Sequence, residues 1–276
     1  DTLFEAYMTT RARLVTGYNV LYNNPSSPLF RLMDRVAARY VIEKIVAHTQ
    51  FMKSLYLQAG IRENKVTVIP HCVDLHRIKS AISQRVSRTL VPPSERQTIF
   101  YAGKFNIMKG VKELVECYKG ICEIQGTRLV LMGKGPLEKW LLQQKQEIEH
   151  RSATAQILLL PWQQHPVMLS CMAEANIVVC PSLVEPFGIF MLEAMSLGKP
   201  VIATHFGGPS EIICDHVNGL LIDPRNHRQF KAALLELLTD ENIRTRTSLN
   251  ALETVQSKYE VSKVATRFLR FLGDEE

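Results

Sequence analysis

Between Thr98 and Ile222 the chain alternates short apolar runs with longer amphipathic segments, and this alternation leaves few folds open to it. Apolar runs bounded by turn residues read as strands buried on both faces, and consecutive strands joined by helical crossovers run parallel. The strand candidates are residues 99–102, 128–132, 157–160, 177–180, 201–203 and 220–222. Between the first two, Val111, Leu114, Val115, Tyr118, Ile121 and Cys122 recur at helical spacing, which predicts a helix laid over one face of the sheet. Gly198 and Pro200 supply a C-terminal cap and a stop for a helix running through Glu193. The expected fold is α/β, a doubly wound Rossmann-like domain.

Ahead of Thr98 the pattern is sparser. Residues 14–16, 44–47 and 65–69 read as strands, with helices near 28–40 and 49–59, the second capped by Thr49 and ended by Gly60. Three strands and two helices make a poor domain and the chain begins at Asp1, so a partial N-terminal Rossmann-like domain is expected, its front lying upstream. Val91-Pro92-Pro93-Ser94 is the natural linker. The expected division is 1–92 as N-terminal domain, 93–258 as C-terminal domain and 259–276 as a terminal helix, amphipathic over 261–271.

The formal charge of +6 and isoelectric point near 9.0 favour anionic ligands or surfaces without choosing among them. Nucleic acid is set aside, because no basic stretch is interleaved with aromatics and no binding module is recognisable. Arg31, Arg35 and Arg39 share one expected helix, a face that could rest peripherally on an anionic membrane, although a solvated basic face is the more ordinary reading. No apolar run approaches the roughly 18 residues that span a bilayer and nothing at the start resembles a signal peptide, so a cytoplasmic location is expected. The six cysteines lack zinc-finger spacing and read as free buried thiols.

Chemistry concentrates at Glu185 and Glu193. Residues 189–197 carry no charge except at Glu193 and are otherwise apolar but for Ser196, and a helix apolar nearly all round is enclosed by protein, so Glu193 is expected to be a buried acid. Its neighbours three and four positions away are Ile189, Phe190, Ser196 and Leu197, none of them cationic. A buried unpaired carboxylate costs several kcal/mol, roughly, so its partners are either ligand hydroxyls or a distant Arg or Lys. Glu185 follows a strand and the loop Pro181-Ser182, at the carboxyl edge where open α/β sheets bind ligands. Phe187, Gly188 and Ile189 bring the unpaired N–H groups of the helix start beside it, a setting for phosphate. Were the span helical throughout, the two acids would lie about 12 Å apart, enough for opposite ends of an extended sugar nucleotide.

Glu185-x7-Glu193, with Pro181-Ser182 before it and Ala194-Met195-x-x-Gly198-x-Pro200-Val201 after it, resembles the signature of the retaining glycosyltransferases of family 4, which have the GT-B architecture. Tyr101-Ala102-Gly103-Lys104 with Met108-Lys109-Gly110, Val130-Leu131-Met132-Gly133-x-Gly135-Pro136, and Gly207-Gly208-x-x-Glu211 with Asn218-Gly219-Leu220 occur in that family's order. The resemblance implies two Rossmann-like domains, with the terminal helix packing back toward the first. It implies transfer of a sugar from a nucleotide diphosphate donor, such as a UDP- or GDP-sugar, to a hydroxyl on a glycan, polysaccharide or lipid-linked acceptor. Glu185 would contact the donor sugar and Glu193 the ribose, while Gly103, Gly133 and Gly135 line the donor site and Trp162 walls the nucleobase pocket. No metal or other cofactor is implied, the departing diphosphate itself assisting deprotonation of the acceptor.

Lys104 and Lys109 flank the turn after the strand at 99–102 and could reach that diphosphate. Fixed cations aimed there stabilise charge that grows as the glycosidic bond breaks. Four positions, in three places, depart from the family pattern. Lys104 replaces the usual Arg and loses its bidentate fork. Tyr18 stands where the family has a His facing the donor sugar; its hydroxyl donates a hydrogen bond but does not titrate near neutrality. His71-Cys72 replaces an Asn-Gly, and His71 reads as a turn residue. A nucleotide-sugar binding module without turnover, a GT-B phosphorylase and a nucleotide-sugar epimerase are the rival readings. A nicotinamide dehydrogenase is set aside, because Glu138 occupies the last glycine of the dinucleotide fingerprint. With its front segment missing, the chain is expected to bind donor but transfer sugar poorly.

Overall fold

Two parallel sheets hold the strands among the described residues, which in this computed structural model are 14–16, 44–83, 90–92, 94–124 and 126–273. Strands β1 (Leu14–Thr16), β2 (Lys44–Ala47) and β3 (Val66–Val68) lie side by side in that order. Between the last two runs α1 (Gln50–Gln58), whose start is set as expected: the Thr49 hydroxyl accepts from the Met52 N–H at 3.0 Å. Ile45, Ala47, Met52, Tyr56, Ile61 and Val66 form the core here. Tyr18 and the helix expected at 28–40, with its three arginines, lie outside the described residues.

The chain continues through α2 (Leu75–Ser83), β4 (Gln97–Lys104), α3 (Val111–Lys119), β5 (Thr127–Lys134), α4 (Glu138–Arg151), β6 (Ile157–Pro161), α5 (His165–Ala173) and β7 (Ile177–Cys180). Then come α6 (Ile189–Ser196), β8 (Val201–Thr204), α7 (Pro209–Ile212), β9 (Leu220–Ile222), α8 (His227–Thr239), α9 (Glu241–Thr254) and α10 (Val261–Gly273). All six strands expected after Thr98 are present, in the spatial order β6-β5-β4-β7-β8-β9. Because side chains alternate along a strand, Ile99, Tyr101, Leu129, Leu131, Ile177 and Val179 pack with α3, α4 and α8 on one face. Phe100, Val130, Met132, Val178 and Cys180 pack with α5 and α6 on the other. Helix α6 ends as its sequence dictates, the Gly198 and Lys199 N–H groups returning to the Met195 and Ala194 carbonyls at 3.0 Å each.

This strand order locates the site. From β4 the chain steps outward to β5 and β6, then crosses back to lay β7 on the other side of β4 and continues outward to β8 and β9. The loops leaving the carboxyl ends of β4 and β7 therefore diverge and open a crevice between them, the topological switch point of an open α/β sheet.

The compact units are 1–71 with 264–276, and 72–263. This division falls ahead of Val91-Pro92-Pro93-Ser94, where the sequence places the linker, and three contacts account for it. Helix α2 packs along α5, Val91 joins the core on that face, and the Arg128 guanidinium donates to the Pro92 carbonyl at 2.7 Å. The start of the terminal segment also stays with the second unit, through a bridge between Glu260 and Val73.

Candidate functional site

The loop after β4 is built to aim one lysine. The Tyr101 hydroxyl donates to the Lys104 carbonyl at 2.9 Å, and the Asn106 side chain accepts from the Lys109 N–H at 2.9 Å, capping a single 3₁₀ turn over Ile107–Lys109. Lys109 leaves that turn with its Nζ 2.7 Å from Glu185 Oε2. Lys104, at the end of β4, is exposed and makes no ion pair among the described residues.

Glu185 belongs to the loop after β7, not to the helix that follows. Its N–H donates to the Phe206 carbonyl at 3.0 Å and its carbonyl accepts from the Gly208 N–H at 2.8 Å, so the loop is stitched to the segment after β8. Gly207 permits that closeness: a Cβ there would sit 2.2 Å from the Glu185 carbonyl oxygen, and its φ of +101° suits only glycine. The buried Ser182 hydroxyl adds a second donor to Glu185 Oε2, at 3.0 Å. Next along the chain, Phe187 is buried edge-on against Tyr259, Gly188 caps α6 in the left-handed region, and Ile189 is exposed at the first helical position. The free N–H groups of the α6 first turn thus open beside a carboxylate and an ammonium held 2.7 Å apart. Such an arrangement receives a ligand carrying both hydroxyls and negative charge.

Glu193 lies farther along α6 and is 8% exposed, as its apolar surroundings predict. Its partner is neither an Arg nor a Lys. His165 Nε2 stands 2.6 Å from Glu193 Oε1, reaching across from the first turn of α5, which packs against α6. Sequence reasoning missed this residue. Its signal was a His-Pro pair just beyond a strand end, since Pro166 suits a helix start and His165 thereby falls at the sheet's carboxyl edge. Burial holds the Glu193 carboxyl above its usual pKa, and the hydrogen bond and charge of His165 oppose that shift.

A carboxyl raised in this way takes stability from the fold when ionised. The loss is complete above the folded pKa and is relieved as pH falls toward the unfolded value. Glu193→Gln, neutral throughout, is therefore expected to melt at a higher temperature than the parent at neutral pH, with the gap closing as pH falls to about 4. Paired thermal melts across that range check the sign, and a gap that widens on acidification would contradict it.

The other expected positions divide between the site and the scaffold. Gly103 and Gly133 are register partners in β4 and β5, and a Cβ on Gly133 would stand 2.0 Å from the Gly103 carbonyl oxygen, so strand packing alone accounts for that glycine. Gly135 begins the turn into α4, its N–H donating to Glu138 Oε1 at 2.7 Å. Trp162 projects from the loop after β6 and is 55% exposed. In the other unit His71 stacks on His48 with ring centroids 3.5 Å apart, and burial lowers its pKa to about 3. Among the described residues no group of three or more His, Cys, Asp or Glu is placed to hold a metal, and no helix is long and apolar enough to cross a membrane.

A family model described as glycosyl transferases group 1 matches residues 83–254, which contain every element of this crevice. An uncharacterized glycosyltransferase of Methanocaldococcus jannaschii is 29% identical over 180 residues, covering 64% of this chain and 45% of that protein. Glycogen synthase of Mycobacterium tuberculosis is 28% identical over 203 residues, covering 73% and 47%. The chain thus spans less than half the length of these curated relatives. HepE of Anabaena, in a crystal structure with UDP-glucose, superposes with a TM-score of 0.81 at 20% identity, covering 99% of this chain and 75% of that one. That likeness is one of fold, the α/β architecture of GT-B type.

Proposed function

Because the chain belongs to the glycosyl transferases group 1 family, we propose that it moves a sugar from a nucleotide diphosphate sugar to a hydroxyl acceptor, as a retaining enzyme of glycosyltransferase family 4 that requires no metal. The observation that carries this reading is the Lys109–Glu185 pair beside the start of α6 at the switch point of the sheet. Lys109, Lys104 and the α6 N–H groups face the diphosphate, Glu185 the donor sugar and Glu193 the ribose. In the transfer the bond from the anomeric carbon to the diphosphate oxygen breaks and a bond to the acceptor oxygen forms on the same face. The acceptor proton passes to the departing diphosphate. Negative charge gathers on that leaving group, where a fixed ammonium and aligned N–H groups act more strongly on the transition state than on the ground state.

Titration with UDP, GDP and ADP and their sugar conjugates, read by thermal shift, tests the donor assignment, because a ligand that binds only the native state raises apparent stability. UDP is the first probe, since HepE was crystallised with it. Glu193→Ala is expected to weaken binding of the free nucleotide by about 1.5–3 kcal/mol, and Glu185→Ala to weaken the sugar conjugate more than the free nucleotide. Equal losses for both ligands in Glu185→Ala would put the sugar elsewhere. Turnover should persist in EDTA; loss there with recovery in Mg²⁺ or Mn²⁺ would overturn the metal-free scheme.

A further inference from the structure

We propose that His165 is the positioning residue for nucleotide recognition, holding one oxygen of Glu193 so that the other is presented to the ribose hydroxyls. This rests on the donor reading above and extends it to a residue outside the motifs that carry that reading.

The geometry separates the two carboxylate oxygens. Oε1 takes the His165 Nε2 hydrogen bond at 2.6 Å, short enough to be charge-assisted. Oε2 accepts from no described residue, yet it is not among the side-chain oxygens sealed from solvent without a partner. One oxygen is thus committed and the other open. The carboxylate cannot rotate to exchange them without breaking the bond to His165, so that bond sets the direction in which Oε2 points.

His165 is itself set from two sides. It occupies the first turn of α5, where Pro166 pre-forms the helical backbone, while its ring leaves the helix to meet α6. Its side chain is 58% exposed, against 11% for that of Glu193. The imidazole is therefore a rim residue reaching inward, and it contributes little to the core. Truncating it removes little apolar contact from the core while freeing the carboxylate. A freed Glu193 must be ordered by the ligand on binding, which costs affinity for hydroxyl-bearing nucleotides and for no others.

The experiment uses the whole chain with matched ligand pairs: UDP, GDP and ADP, each beside its 2′,3′-dideoxy counterpart. For whichever nucleotide binds, His165→Ala is expected to weaken the ribose form about tenfold and the dideoxy form less than about twofold. His165→Gln, whose amide can donate from nearly the same place as Nε2, should recover most of the loss. Glu193→Ala runs in parallel. If Glu193→Ala discriminates between the paired ligands while His165→Ala affects both equally or neither, the positioning role is overturned and the ribose assignment stands. If Glu193→Ala does not discriminate, or none of the three nucleotides binds, the donor reading fails and the inference falls with it.

Discussion

Lys109→Ala is expected to slow sugar transfer, or hydrolysis of the donor where acceptor is omitted, about 100- to 1,000-fold, or roughly 2.7–4 kcal/mol of barrier. Lys109 is the cation fixed at the switch point, by the Asn106 cap behind it and the Glu185 contact in front. An ammonium has three donors, and one of them meets Glu185 Oε2, leaving two for an incoming phosphate. Its removal also leaves the Glu185 carboxylate, with a side chain only 17% exposed, to the Ser182 hydroxyl. The loss should fall mainly on the rate of the bound complex, because charge on the leaving group peaks in the transition state. Single-turnover rates at saturating donor separate the two effects. An unchanged rate with a weakened Kd would mean that Lys109 only binds.

Gly110→Ala should cost the fold itself. Gly110 sits at φ +65°, where it ends the 3₁₀ turn of Lys109 and starts α3. A Cβ at this position would stand 1.7 Å from the Pro181 carbonyl oxygen and 2.6 Å from its carbon. Both obstacles are backbone, so no side chain can swing aside. Left-handed strain and forced displacement each cost about 1–3 kcal/mol, together roughly 2–6 kcal/mol. For a unit of this size that is a fall in Tm of roughly 5–20 °C. The displaced loop is also the one that carries Ser182 and Glu185, so molecules that still fold should bind sugar nucleotide poorly. A Gly110→Ala chain melting within about 2 °C of the parent would show that the loop yields more easily than its contacts indicate.

Much of this is legible in the amino-acid sequence. The six strands after Thr98 follow from apolar runs between turn residues, and the burial of Glu193 from a helix with no other charged residue. Thr49 and Gly198 mark helix ends through hydrogen bonds spanning a few residues, which is why capping is readable in a linear chain. The domain division was less legible. A Pro-rich segment reads as a linker by composition, yet α2, which precedes it, and Val91, its first residue, pack with the second unit. Local conformation and tertiary membership are set by different contacts, and only the first is written in dipeptides.

The same distinction governs the site. The sequence by itself determined that an acid would be buried in α6, that a second would follow β7, and that two lysines would flank the turn leaving β4, since each statement depends on residues within one or two turns of one another. The tertiary structure decided which of these groups meet. Lys109 and Glu185 are 76 residues apart, and they pair because β7 returns to lie against β4 and brings the two outgoing loops together. His165 and Glu193, 28 apart, meet because α5 and α6 pack side by side on one face of the sheet. Neither pairing has a periodic signature, because strand order and helix packing minimise exposed apolar area over the whole domain, and the polar partners are carried to their places by that packing.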